Sequence, residues 1–319
     1  VVGLNLTSND LAGYLPPELS AFTNLIVLDL SSNRMGGSMP EDALGGMREL
    51  RALRLGSNAL TGSIPPSLEN AGDLTLLDLS SNALTGNIPP TLGELADLKV
   101  LKLDLNGLSG SFPPQLSTGL DRLRMLNLEH NRLSGTLPDS FDGMTSLTSL
   151  RLSENSFDGS IPPSISSIGA SLKELYLDGN DLTGSIPPSM GTQLTSLETL
   201  FLHQNRLSGP IPSELGGLAS LKELTLNENG LTGTLPEELG SLGRLETLFV
   251  ERNSLQGEMP EALGLLEELE MLRLYDNDLT GSVPPGICAL KSDFKLTWIA
   301  ADCEGDDPEV TCDCCDECH

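Results

Sequence analysis

The sequence predicts an α/β repeat protein, a solenoid in which about twelve short parallel strands stack into one sheet, each followed by a turn and a short helical segment. Three observations predict it. Asn recurs every 24 or 25 residues, at Asn9, Asn33, Asn58, Asn82, Asn106, Asn131, Asn155, Asn180, Asn205, Asn229, Asn253 and Asn277. Leu stands five residues before each of them, from Leu4 to Leu272, and three before in all but one, where Val250 replaces it. Gly follows each Asn four residues later and Pro seven later, without exception. A period of this length marks stacked coils, none of which buries its apolar side alone.

Each column has a physical task, taken in chain order. The two Leu columns alternate with period two, which makes a short strand with both side chains on its core face. Asn turns the corner, because its amide bonds backbone groups that the bend leaves unpaired, and repeating it builds a ladder. Gly permits positive φ, and Pro holds the chain extended without needing a ladder bond. The apolar residue before each Pro (Leu15, Ile64, Phe112, Ile211, Val283) should point inward. Another, ten residues after the Asn (Leu68, Leu92, Ile165, Leu239), should anchor a helical turn on the outer side.

Composition agrees and excludes alternatives. Leu occurs 66 times and only 11 residues are aromatic, so the core is aliphatic and repetitive. The 18 Lys and Arg against 45 Asp and Glu give a net charge of -27, which excludes nucleic acid as a partner because phosphate binding needs clustered cations. Basic, neutral or cation-bridged partners suit such a surface. No apolar run approaches the ~20 residues of a membrane span, and no secretory signal begins at Val1.

The pattern LxxLxLxxNxLTGxIPxxL, as in Leu74–Leu92 (LTLLDLSSNALTGNIPPTL), resembles the plant-specific type of leucine-rich repeat. The resemblance covers residues 1–287 as twelve repeats, with residues 288–319 left as a cysteine-rich acidic cap. It implies a right-handed, twisted horseshoe with a concave parallel sheet and convex turns with short 3-10 helices, as in plant receptor-kinase ectodomains and polygalacturonase-inhibiting proteins. Those families bind peptides, proteins or glycans and do no chemistry. No kinase motif is present, and the paired-Cys cap that precedes the first repeat in those families is missing. Residues upstream of Val1, or a second copy of this chain, are therefore expected to cover Leu4, Leu6, Leu11 and Leu15 at the N-terminal edge.

Six cysteines, Cys288, Cys303, Cys312, Cys314, Cys315 and Cys318, lie within the last coil and tail. They read as three disulfides of an oxidising compartment, with connectivity undetermined among 15 pairings. Zinc is the alternative, disfavoured because adjacent Cys314 and Cys315 do not readily serve one ion. The tail also resembles the cysteine-dense ends of extracellular leucine-rich repeat proteins of microalgae. One glycosylation sequon, at Asn5, falls on the first strand.

Function should lie where the repeat is free to vary. Positions four, two and one before each ladder Asn project from the concave sheet, and the first of these columns changes from polar to aromatic along the chain. Arg151, Tyr176, Phe201, Phe249 and Arg273 carry it, with His203, Glu251, Arg252 and Tyr275 beside them. Four of the chain's 11 aromatics thus share one face, and rings with Arg nearby are the composition of binding hot spots. The acidic row Asp104, Glu129, Asp178 and Glu251, with Glu154 and Glu228, is a solvated face or a calcium site, the former being the plainer reading. No cofactor or metal is expected. His203 beside Asp178 makes no persuasive acid–base pair on an open sheet. The resulting expectation is a non-enzymatic extracellular module, secreted or at the cell surface, binding a protein, peptide or glycan. The alternatives are a self-assembling adhesive matrix protein and an inhibitor of a wall-degrading glycosidase.

Overall fold

A computed structural model of the chain describes residues 2–304 and 310–319. The chain forms two compact units, residues 1–157 and 158–319, each a run of stacked coils. In the first, the strands Gly3–Asn5, Val27–Asp29, Ala52–Arg54, Leu76–Asp78, Val100–Lys102, Met125–Asn127 and Ser149–Arg151 pair in parallel, each with the next. Register follows the repeat, so Leu28 lies against Leu53 and Leu53 against Leu77. In the second, Glu174–Tyr176, Thr199–Phe201, Glu223–Thr225, Thr247–Phe249 and Met271–Arg273 continue the pattern, and Trp298–Ala301 and Glu317–Cys318 extend it. The twelve repeats thus supply the expected strands, and the cysteine-rich tail adds two more.

Both Leu columns form the core. Leu53, Leu55, Leu101, Leu103, Leu200, Leu202, Leu248 and Val250 are all buried. The residues assigned inward before each Pro, including Ile64, Phe112 and Ile211, are buried too, as are the helical anchors Leu68, Leu92, Ile165 and Leu239. Leu15, expected at a bare edge, is only 2% exposed, as its place in the column before each Pro requires. What faces water at that end is Val2, Leu6, Tyr14 and Phe22, with Leu4 and Leu11 half-buried.

The corner works as a ladder of amides. Asn205 Nδ2 donates to the carbonyls of Leu202 and His203 in its own coil and of Leu177 in the coil before, and its Oδ1 accepts the Leu182 N–H. Each coil therefore completes the backbone of its predecessor. At the last coil a carboxylate takes over: Asp302 accepts the N–H groups of Asp276 and Asn277.

The outer side differs from the expectation of turns alone. After each corner the chain runs extended and pairs with its neighbours, as in Arg34–Ser38 against Ala59–Gly62, or Arg206–Pro210 against Gly230–Gly233. The repeat Gly sits in this second strand with positive φ, 77° at Gly209 and 80° at Gly233, which bends it toward the Pro. The helical segment then depends on repeat length. Between ladder Asn residues 24 apart it is a five-residue 3-10 turn, as at Pro66–Asn70, Pro90–Glu94 and Glu237–Ser241, or no helix at all after Asn131. Three of the four 25-residue spacings carry an α-turn instead, at Glu41–Gly45, Pro114–Gly119 and Ser189–Gln193. An α-turn rises less per residue than a 3-10 turn, so it needs the extra residue to cross the same width.

The six cysteines close three disulfides, Cys288–Cys314, Cys303–Cys318 and Cys312–Cys315. The first ties the tail to the helix Pro285–Asp293, and Lys291 of that helix also donates to the Cys314 carbonyl and to Asp316. The sulfurs of Cys303, Cys312 and Cys315 lie within 4.8 Å of one another, yet each is held in a disulfide and offers no thiolate to zinc. Among the described residues no helix is long and apolar enough to cross a membrane.

Candidate binding face

Strand register in the second unit decides which varied side chains meet. Tyr176 pairs with Phe201, Phe201 with Thr225, Thr225 with Phe249 and Phe249 with Arg273. The Tyr176 and Phe201 rings meet edge to face with centroids 4.9 Å apart, and His203 lies 5.8 Å from Phe201 in the same manner. Arg273 lays its guanidinium over the Phe249 ring at 4.3 Å. Phe201, Phe249 and Arg273, with His203, Gln204, Glu223, Thr225, Asn227, Thr247 and Met271, line a hollow of about 390 Å³.

Not every expected residue takes part in the same way. Arg151 stands in the first unit on Ser149–Arg151, 4.0 Å from Glu129. Tyr275 is covered by the end of the tail, its ring stacked on His319 at 4.0 Å, with Arg252 at 6.0 Å. Arg252 itself is exposed and bridges Glu228 and Asp276. Asn5 is exposed, with its Oδ1 accepting the Thr7 N–H.

Glu251, expected to project from the sheet, is instead only 2% exposed. Its Oε1 lies 3.7 Å from Arg273, while its Oε2 has no hydrogen-bond partner. Desolvation raises the Glu251 pKa, and its own backbone N–H and Arg273 offset this only in part. Asn227, one coil earlier in the same column, is also buried, with an unpartnered Oδ1.

Four carboxylates of the acidic row lie near basic side chains, Glu129 by Arg151, Asp178 by His203, Glu228 by Arg252 and Glu251 by Arg273, while Asp104 Oδ1 is buried without a hydrogen-bond partner. His203 Nε2 lies 3.6 Å from Asp178 while its Nδ1 shares a 2.9 Å hydrogen bond with Thr225 Oγ1. That arrangement tethers the imidazole and aims it at no reacting group. Among the described residues, the acidic row brings no three ligand oxygens within metal-binding distance.

Sequence reasoning missed one column. Glu223, Thr247 and Met271 stand six residues before their ladder Asn and line the hollow. The same period-two alternation that placed Phe201 would have placed them. A larger groove of about 900 Å³ runs along the proline flank, past Ile186, Pro188, Ile211, Pro212, Leu235 and Pro236. Its Ile186, Ile211, Leu235, Pro212 and Pro236 belong to the repeated frame, and only positions such as Pro188, Ser213 and Glu237 vary, so it discriminates less than the hollow. The concave hollow is built from varied positions and is the better candidate.

Models of the leucine-rich repeat match residues 96–157 and 170–231 in one form, and residues 24–45, 49–71, 73–95 and 268–290 in another. The chain belongs to the leucine-rich repeat family. It is similar to the LRR receptor-like serine/threonine-protein kinase GSO2 of Arabidopsis thaliana, 43% identical over 68 residues that make 21% of this chain and 5% of that protein. Among solved structures it resembles the Arabidopsis HAESA LRR ectodomain in complex with an N-terminally extended IDA peptide hormone. The TM-score is 0.85 at 35% identity, over 95% of this chain and 51% of that one. It also resembles a plant ice-binding protein, with TM-score 0.66, 31% identity and 82% of each chain covered. This leucine-rich repeat chain therefore spans about half the length of the receptor ectodomain and a small fraction of the receptor kinase. It shares the architecture of a plant peptide-binding ectodomain.

Proposed function

We propose that this leucine-rich repeat chain is a non-enzymatic, extracellular recognition module that binds a peptide or an extended protein segment on the concave face of its second unit. The observation that carries the reading is the run Tyr176, Phe201, Thr225, Phe249, Arg273 across five adjacent strands. It offers half-buried rings and a stacked guanidinium on a backbone lattice that needs no reordering, so little conformational entropy is lost on binding. The peptide-bound HAESA structure supports the choice of partner class. Three disulfides support an oxidising, extracellular setting.

A phage-displayed library of random dodecapeptides, panned on the immobilised protein, tests the reading. Peptides are expected to be enriched by the wild type and lost with Phe201→Ser plus Phe249→Ser, at an unchanged melting temperature. Retained binding by the double variant would place recognition elsewhere.

A second reading has its own observation. On the outer side, exposed Thr183, Ser208, Thr232, Thr280 and Thr311 recur on successive strands in a register staggered by two residues, so that Thr232 lies against Pro210, and the series is broken only by Gln256. Such a hydroxyl array, together with the resemblance to an ice-binding protein, favours an ordered-water surface. Inhibition of ice recrystallisation that is lost with Thr232→Lys would support it, and growth of ice crystals at the buffer rate would remove it.

A further inference from the structure

The concave hollow contains a slot whose chemistry specifies its occupant more narrowly. Phe201 and Phe249 stand on alternate strands with Thr225 between them, in register. Two strand spacings place their backbones about 10 Å apart, and Thr225, only 6% exposed, forms a low floor. One extended side chain fits between two aromatic walls of that separation. Along the middle strand, Glu223 lies at one end of the slot and Asn227 at the other, and both line the hollow.

The polar groups around this slot are acceptors short of donors. Asn227 Oδ1 and Glu251 Oε2 are buried without a hydrogen-bond partner, a costly condition for either atom. Burial also raises the pKa of Glu223, with Glu246 adding repulsion. The charge of the face agrees: the projecting positions of the five repeats from Glu174 to Asp276 carry six carboxylates (Glu174, Asp178, Glu223, Glu228, Glu251 and Asp276) against Arg252 and Arg273. The Phe249 ring already takes a cation on one side, from Arg273. Asn227 lines the hollow and its terminal amide turns on a soft torsion, so it can present oxygen to a group entering the slot, whereas Glu251, 2% exposed and outside the hollow's lining, must swing its carboxylate toward Asn227 to reach that group.

We propose that the slot between Phe201 and Phe249 receives a Lys or Arg side chain of the bound peptide, whose N–H groups are taken by Asn227 Oδ1, Glu251 Oε2 and the Glu223 carboxylate. The apolar stem of such a side chain lies between the rings, and its charged end supplies the donors that the buried oxygens lack. Arg273 continues to hold Glu251 Oε1, leaving Oε2 for the ligand. The inference rests on the concave-face reading and adds the charge and kind of residue recognised.

The same dodecapeptide library tests it. Wild-type panning is expected to enrich Lys or Arg at one peptide position. For a selected peptide, replacing that residue by norleucine, which keeps the stem and removes the charge, should weaken binding to the wild type by about tenfold. Against Glu251→Gln combined with Asn227→Leu, the same replacement should matter less than about threefold. The peptide-side change leaves the protein untouched, so a loss there is no folding artefact. Enriched peptides without a cationic bias, or a norleucine penalty equal in both proteins, would overturn the cation slot. If Phe201→Ser plus Phe249→Ser still abolishes binding in that case, the concave-face reading stands alone. No enriched peptide at all would remove both.

Discussion

At the scale of single residues, the corners carry a strain that the repeat pattern conceals. The position just before each ladder Asn takes positive φ in coil after coil, including Leu105 at 55°, His130 at 51° and Arg252 at 56°. Left-handed backbone costs an L-residue about 1 kcal/mol, and Asn tolerates it best after Gly. Leu105 is also 49% exposed, so its side chain contributes little burial. Leu105→Asn is expected to stabilise the fold by about 0.5–1 kcal/mol, read from the urea midpoint. Glu251 carries a second residue-scale prediction. Because burial raises its pKa, the native state holds its proton over a pH range in which the unfolded chain has released it. Stability from this group therefore falls as pH rises from the ordinary Glu value through the raised one, and is constant below and above that window. Wild type and Glu251→Gln should differ progressively in denaturation midpoint across that window, with the variant the more stable at neutral pH. Parallel profiles would mean that Glu251 titrates normally.

At the scale of elements, the ladder amide ties its coil to the one before through several backbone bonds, as at Asn205. Asn205→Ala would strip four hydrogen bonds from buried backbone, at a cost of about 3 kcal/mol. Asn9 is exposed, and its Nδ2 reaches only Thr7, so Asn9→Ala should cost less than about 0.5 kcal/mol. Equal losses in chemical denaturation would refute the ladder as the source of stability. The helical segments show how much a repeat length conveys. A spacing of 24 or 25 is plain from residue order, and it sorts most five-residue 3-10 turns from the short α-turns. The second outer strand was not legible, because its bonds run between coils whose pairing no single repeat reveals.

At the scale of the whole molecule, the C-terminal end depends on its crosslinks. The Cys288–Cys314 bridge closes a span of 26 residues and is worth about 3.5 kcal/mol by loop entropy. In a solenoid each coil is supported mainly by its neighbours, so loosening the cap should act locally. Reduction with a dithiol is expected to raise amide exchange first in Trp298–Ala301 and Met271–Arg273 while leaving Glu174–Tyr176 protected; uniform loss across the second unit would contradict this. Asp316 contributes to the same cap. Desolvation opposes its ionisation, but hydrogen bonds from Lys291 and the Ile299 N–H outweigh that and lower its pKa. Its contribution is therefore present above the ordinary Asp value and is lost as pH falls through the lowered one.

Residue order alone sets the coil. Leu, Asn, Gly and Pro columns follow from local requirements of strand, corner, bend and extension, each met within one period. The same order puts Tyr176, Phe201, Phe249 and Arg273 on one face, since alternation along a strand and spacing between strands are both readable from it. Which of those groups are covered, and which lack partners, is settled only when coil packs on coil. Glu251 is buried and meets Arg273 of the next coil at 3.7 Å, and Tyr275 is stacked on His319, which a tail of no repeating pattern brings back to its ring. Burial and charge pairing arise between coils, where side chains far apart in sequence share one small space, and a period describes only what each coil does for itself.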